Sequence, residues 1–301
     1  MDRSLLESTP AMRLAIFIAL TGISMILGAW LSFSLVAAIL HVGFTQIQLV
    51  ILQPEHAALA QFANALASLF AFLVPSTFVA YLSKGSMSNN MGFKYTPSIK
   101  QMIWVMGLAL AGFLLSGALG NLTEQIPVGA NFKNWADSLE ANYKRALVAM
   151  TQMHSVFDLL FALIAVAVVP AIVEELYFRS SLQTTLKEWS GKPMIAIIIT
   201  AIIFSAFHFS YYGFLSRLAL GIVLGCIYEY SKSIWLPILL HFINNGLAII
   251  ILYNVRKTPQ AAEKIMDENL PIYWGLLGLI GILYLLKLLK KEAKYELEKS
   301  I

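Results

Sequence analysis

Charge is scarce in this chain. Charged residues fill 13% of its 301 positions, about half the share usual in a soluble domain. Together with 58% hydrophobic residues arranged in long unbroken runs, that shortage excludes an ordinary soluble fold. Cysteine is nearly absent. Cys226 alone rules out an internal disulfide, offers no thiolate cluster for a metal, and reads as a small core residue. No HExxH signature occurs, so the commonest helical zinc-protease pattern is missing. No Gly-, Ser- or Pro-rich linker separates modules, which predicts one membrane domain over residues 1–301. The net charge of +4 gathers at the ends of apolar runs, as membrane-flanking loops require, and argues against a nucleic-acid partner.

What is present is grease in lengths suited to a bilayer. A span needs about 20 apolar residues to cross a hydrocarbon core of about 30 Å. Eight runs meet or approach that rule: 14–40, 57–82, 101–120, 155–178, 193–211, 214–231, 234–255 and 271–289. The fold class is therefore all-α, a polytopic membrane bundle of about eight transmembrane helices. The first run is too long for a cleavable signal segment and reads as an anchor. Lys and Arg favour the side that holds both termini, which the positive-inside rule makes cytoplasmic. Residues 121–153 form the longest stretch outside the runs. Leu139, Tyr143, Leu147 and Met150 recur there at helical spacing beside Lys133, Glu140, Lys144 and Arg145. That pattern predicts a helix in the headgroup region, plainly a connector and more sharply a gate over a membrane cavity.

Polar residues interrupt the runs at a few places: Glu174-Glu175 with Arg179, then His208, then His241 with Asn245. An ionisable group at mid-bilayer costs roughly 2.5–3.5 kcal/mol on insertion scales, so such residues are functional candidates by default. Adjacent glutamates point about 100° apart on a helix, so both cannot face one small site. Arg179 lies four residues beyond Glu175, well placed to pair with it and leave Glu174 reactive. His241 and Asn245 share a face, can both donate to an oxyanion, and leave Asn244 pointing elsewhere. Taken singly, each group also fits a plain ion pair or an interfacial histidine. Pro170 and Pro237 each stand four residues before a polar candidate, where a kink would open room. Glu174 lies 17 residues before Gly191 and His208 lies 17 after it, so helices meeting at that turn would hold them at one depth. Arg217 reads first as a snorkelling cation, with a substrate C-terminal carboxylate as the sharper alternative.

Glu174-Glu175-Leu-Tyr-Phe-Arg179, Phe204-Ser-Ala-Phe-His208 and His241-Phe-Ile-Asn-Asn245 resemble the EExxxR, FxxxH and HxxxN motifs of the CPBP family of intramembrane endopeptidases. That family includes the type II CAAX prenyl proteases and bacterial bacteriocin-processing and immunity-type homologues. The resemblance covers about residues 155–255, the expected catalytic core. It implies a glutamic-type protease without metal or other cofactor, in which Glu174 and His208 activate water. His241 and Asn245 would form the oxyanion hole, and Glu175 and Arg179 would support the site. The implied partners are a membrane-associated protein or peptide substrate, prenylated or a precursor, and the lipid bilayer. The implied place is a bacterial cell membrane, or the endoplasmic reticulum in a eukaryote. Three alternatives stay open on residues alone: a zinc site of Glu174, His208 and His241, a non-catalytic scaffold or immunity protein, and an ion- or proton-coupled transporter.

Overall fold

The computed structural model describes residues 8–150, 152–255 and 270–299. Among them there is no strand. Nine helices carry the architecture. They are α1 (Pro10–Leu40), α2 (Pro54–Leu82), α3 (Ile99–Glu124), α4 (Ala130–Met150), α5 (Val156–Ser190), α6 (Pro193–Ala206), α7 (Phe214–Ser231), α8 (Trp235–Val255) and α9 (Ile272–Lys299). Each of the eight apolar runs contains a helix, that of 193–211 ending at Ala206, and seven of these helices are long and apolar enough to cross a membrane. The exception is α6. Its 14 residues span about 21 Å, short of the hydrocarbon core. Large apolar side chains face outward along the long helices, such as Ile26 on α1, Leu110 on α3 and Ile280 on α9. The chain is a multi-pass integral membrane protein.

Local sequence explains where the helices begin. The Thr9 hydroxyl accepts from the Met12 amide and Pro10 opens α1. Ser98 with Gln101 and Ser155 with Asp158 form capping boxes at α3 and α5. Pro237 sits in the first turn of α8, where no intrahelical amide bond is needed. It starts that helix and does not kink it, contrary to the sequence expectation. The carbonyl it leaves free, on Ser233, accepts from the Ser231 hydroxyl at 3.3 Å.

In lipid, helix pairing depends on close packing more than on removal from water. A Cβ on Gly278 of α9 would lie 2.5 Å from the Ala111 carbonyl oxygen of α3, so only glycine permits that approach. Gly221 of α7 likewise faces Ala201 of α6, where a Cβ would come within 2.9 Å. Helices α3, α7, α8 and α9 enclose a core including Leu108, Leu224, Ile227, Leu240 and Leu289. A second core joins Phe17 of α1 and Val79 of α2 to Tyr177, Phe178 and Leu182 of α5 and Phe204 of α6. Helix α5 supplies much of the second core and packs on α8 of the first.

Helix α5 also departs most from expectation. It continues past residue 178 to Ser190, so Arg179 lies inside it. Two wide π-helical stretches, Leu163–Val168 and Leu176–Gln183, flank about two regular turns, Val169–Glu175. Pro170 accounts for the first: it lacks an amide hydrogen, and its ring pushes away the carbonyl one turn back. The stretch 121–153 also resolves differently at its start. Asn121, Leu122 and Thr123 belong to the last turns of α3, and α4 follows as a separate helix.

Candidate active site

Glu175 is the hub. It is fully buried, as is Arg179, and its two oxygens serve different partners. The Arg179 Nε donates to Oε2 at 2.9 Å, and the His241 Nδ1 donates to Oε1 at 2.8 Å. A buried carboxylate is tolerable when both oxygens are engaged and a guanidinium offsets its charge. The sequence anticipated the arginine pairing. The link from Glu175 to His241 it did not, because 66 residues separate them and only the packing of α8 on α5 joins them.

That link orients the imidazole. With Nδ1 turned to Glu175, Nε2 faces Glu174, whose Oε2 lies 3.9 Å away. Glu174 Oε2 is buried and has no hydrogen-bond partner among the described residues. Glu174 thus remains the unengaged carboxylate of the pair, as the motif spacing predicts.

His208 is not on a helix. Helix α6 ends at Ala206, and His208 lies in the following turn, beside Phe209 in the left-handed region at φ 49°. Such backbone is uncommon for a bulky residue and is held by its surroundings. The Ser205 hydroxyl donates to the Phe214 carbonyl at 2.7 Å across that turn. Ser205 is therefore a structural tie and carries no free nucleophile. The His208 ring donates from Nδ1 to the Phe204 carbonyl at 2.9 Å. A carbonyl only accepts, so the hydrogen belongs on Nδ1 and a neutral ring keeps its lone pair on Nε2.

Phe204 is the wall between these groups. Its ring lies 4.9 Å from the His208 ring, 5.8 Å from the His241 ring and 5.3 Å from the Arg179 guanidinium carbon. The two rings meet it edge-on, and the cation faces it, both favourable arrangements for an aromatic quadrupole. Arg179 Nη1 and Nη2 are buried without hydrogen-bond partners among the described residues, so this ring is their cover.

Asn245 donates from Nδ2 to the Val166 carbonyl at 3.5 Å. Val166 stands four residues before Pro170, so its carbonyl is the one the proline leaves without an α-helical amide. Asn244 does not point elsewhere. It donates to Asn245 Oδ1 at 3.3 Å and lines the same cavity.

The cavity holds about 780 Å³. Glu174 of α5, His208 of the α6–α7 turn, and His241 and Asn245 of α8 all line it. So do Glu140, Tyr143 and Leu147 of α4, from the stretch read as a connector or a gate over a cavity, and Met25, Ala71 and Ser116 from α1, α2 and α3, which sequence reading did not single out. Met25, Ala71 and Ser116 stand in apolar runs without a charge or a motif to mark them, which is why these three went unnoticed. Helix α4 is tied over the cavity by side chains. Tyr212 donates to Asp137 at 2.6 Å, and Ser210 donates to Glu140 at 2.8 Å. The Tyr212 bond, then that from Lys133 at 2.9 Å, hold the Asp137 carboxyl below its ordinary value. Among the described residues, no three or more His, Cys, Asp or Glu stand where they could hold a metal ion.

Residues 156–247 match the family of type II CAAX prenyl endopeptidases, Rce1-like. This stretch is Rce1-like. It opens with the first residue of α5 and closes two residues after Asn245, so it contains all three motifs and the turn that bears His208. The family is the one the motifs resemble, a protease family, and the Rce1-like segment contains Glu174, Glu175, Arg179, His208, His241 and Asn245. Helices α1 to α4 and α9 lie outside the match. No curated protein and no solved structure matches the chain.

Proposed function

We propose that the protein is an intramembrane endopeptidase that hydrolyses a peptide bond of a membrane-associated protein or peptide precursor. The carrying observation is the meeting of Glu174, His208, His241 and Asn245 around one cavity inside a multi-pass bundle. The wider reading rests also on the family match, the finer one on these contacts.

Glu174 and the Nε2 lone pair of His208 hold the attacking water and accept its proton. A positioned base of this kind contributes about 10²–10⁴ in rate. Attack on the peptide carbonyl gives a tetrahedral carbon bearing an oxyanion. Asn245 retains a second Nδ2 hydrogen after bonding Val166, and a protonated His241 donates from Nε2, with Glu175 balancing its charge. The proton taken from water passes to the departing amide nitrogen, and the C–N bond breaks. No acyl-enzyme forms. Arg179 keeps the charge of Glu175 compensated, so Glu175 stays ionised while Glu174 and His208 handle the proton.

The test is peptidomics of membranes carrying wild-type or Glu174→Gln protein at equal abundance. Precursors should accumulate, and their shorter products vanish, in the variant. Identical peptide sets would overturn the protease reading. Any recovered cleavage should persist in a strong zinc chelator; loss in chelator and return with added zinc would replace the glutamic mechanism with a metal one.

A further inference from the structure

Arg217 is a cation lining the cavity, with no ion pair among the described residues. It stands in the first turns of α7 and lines the same space as Glu174 and His208. Its Nη1 is buried and has no hydrogen-bond partner, and no ion pair engages it among the described residues. The nearby carboxylate of Glu140 accepts from Ser210, and that of Asp137 accepts from Tyr212 and Lys133. The guanidinium lies instead over the Tyr143 ring of α4, 4.8 Å from its centroid. An aromatic face holds a cation in place but satisfies none of its in-plane donors.

Gly213 shows how the position accommodates this group. Its backbone, at φ −82° and ψ −2°, is open to any residue, so conformation does not require glycine there. The guanidinium occupies the space that glycine leaves open: a Cβ on Gly213 would overlap it and crowd the Ser210 hydroxyl, so a side chain there would push the flexible end of Arg217 aside.

The geometry points to Arg217 as the group that selects a substrate carboxylate in the cavity. This rests on the protease reading of the site and names a feature of its substrate. A guanidinium with free in-plane hydrogens fits a carboxylate in two parallel bonds, and a peptide carries carboxylates at its C-terminus or on Asp and Glu side chains. A peptide so anchored takes one register, with its scissile carbonyl presented to Glu174 and His208. Tyr143, reaching across from α4, holds the guanidinium in the orientation that the carboxylate meets.

Binding can be measured apart from cleavage, using detergent-solubilised Glu174→Gln protein and three apolar hexapeptides labelled with an uncharged nitrobenzofurazan dye. One has a free C-terminal carboxylate, one a C-terminal amide, and one a C-terminal amide with a single Glu. At least one carboxylate peptide should bind about tenfold or more tightly than the neutral amide, as a charge-assisted pair allows. The peptide that gains identifies the source as chain end or side chain. Adding Arg217→Gln should erase the preference while leaving the neutral peptide's affinity unchanged. Gly213→Ala, which keeps the charge but displaces it, should do the same if the glutamine variant does not fold. Equal binding of all three peptides, or a preference that survives both changes, overturns the assignment. Wild-type protein that binds with the predicted preference but cleaves nothing would leave Arg217 in its role and sink the protease reading instead.

Discussion

At the scale of single residues, the site is a short chain of charges in which each group has one neighbour that fixes it. Arg179 bonds Glu175, Glu175 bonds His241, and His241 faces Glu174. Breaking a buried pair from one side costs about 3–5 kcal/mol, because the surviving charge stays buried and unpaired. Arg179→Ala should therefore lower the melting temperature in detergent and reduce accumulation in membranes. Glu174→Gln, which removes a carboxylate with no bonded partner, should melt with wild-type protein. Thermal unfolding followed by fluorescence of purified protein compares the two, and equal melting of all three would contradict the hub role of Glu175. Asn245→Ala should cut kcat by about 10²–10³ with little change in KM, the signature of a donor used only in the transition state. Polar residues in grease announce themselves, so Glu174, Glu175, Arg179, His208, His241 and Asn245 were all legible from sequence. Phe204 was legible only as a motif letter. Its place between two imidazoles and a guanidinium arises from three helices meeting, and a linear pattern does not encode that.

At the scale of elements, α5 and α4 carry what the sequence concealed. Hydropathy sees α5 as a plain span, yet its wide turns before and after Val169–Glu175 set where Glu174 points. A π turn is a local rearrangement of hydrogen bonds in residues apolar either way, so it leaves no trace in composition. Pro170→Ala restores an amide that competes with Asn245 for the Val166 carbonyl. Because misplacement by about 1 Å can cost about 10²-fold in rate, cleavage should fall by up to that factor without loss of thermal stability. Kinetics beside a melting curve would show it; full activity would mean the wide turn is incidental. Helix α4 was foreseen as a helix from its spacing, but not its ties to the turn bearing His208. Those ties should respond to acid. The Asp137 carboxyl sits below its ordinary value when folded, so its contribution is full above the usual carboxylate range and lost as pH falls through the lowered value. Amide exchange in α4, corrected for the intrinsic rate, should rise at acid pH in wild type and be high and flat with pH in Asp137→Asn. Exchange independent of pH in the wild type would dismiss the tie.

At the scale of the whole molecule, the two ends of α5 lie on opposite sides of the bilayer, and the basic residues give the sides names. Lys187 near the Gly191 turn and Lys133 on α4 must then label from opposite faces. Cys226 is the lone thiol and is buried, so single cysteines introduced at these two positions can be read without replacing others. An impermeant maleimide applied to intact cells should modify Lys133→Cys and spare Lys187→Cys. The reverse pattern would invert the orientation and place α4, with the cavity roof, on the cytoplasmic side. The bundle itself was legible because a bilayer imposes run lengths on any sequence that crosses it. The cavity was not, since helices α1 to α3 contribute to it through Met25, Ala71 and Ser116, none of which stands out in its run.

The wide turns of α5 carry one more consequence. A single amino acid inserted or removed between Leu163 and Val168 would rotate everything downstream by roughly a quarter-turn or more, leaving all three signatures spelled correctly in the gene. Such an indel would turn Glu174 away from the cavity by misdirection alone, so frame-preserving length changes there are a sharper probe of the proposed site than any exchange of its recognisable letters.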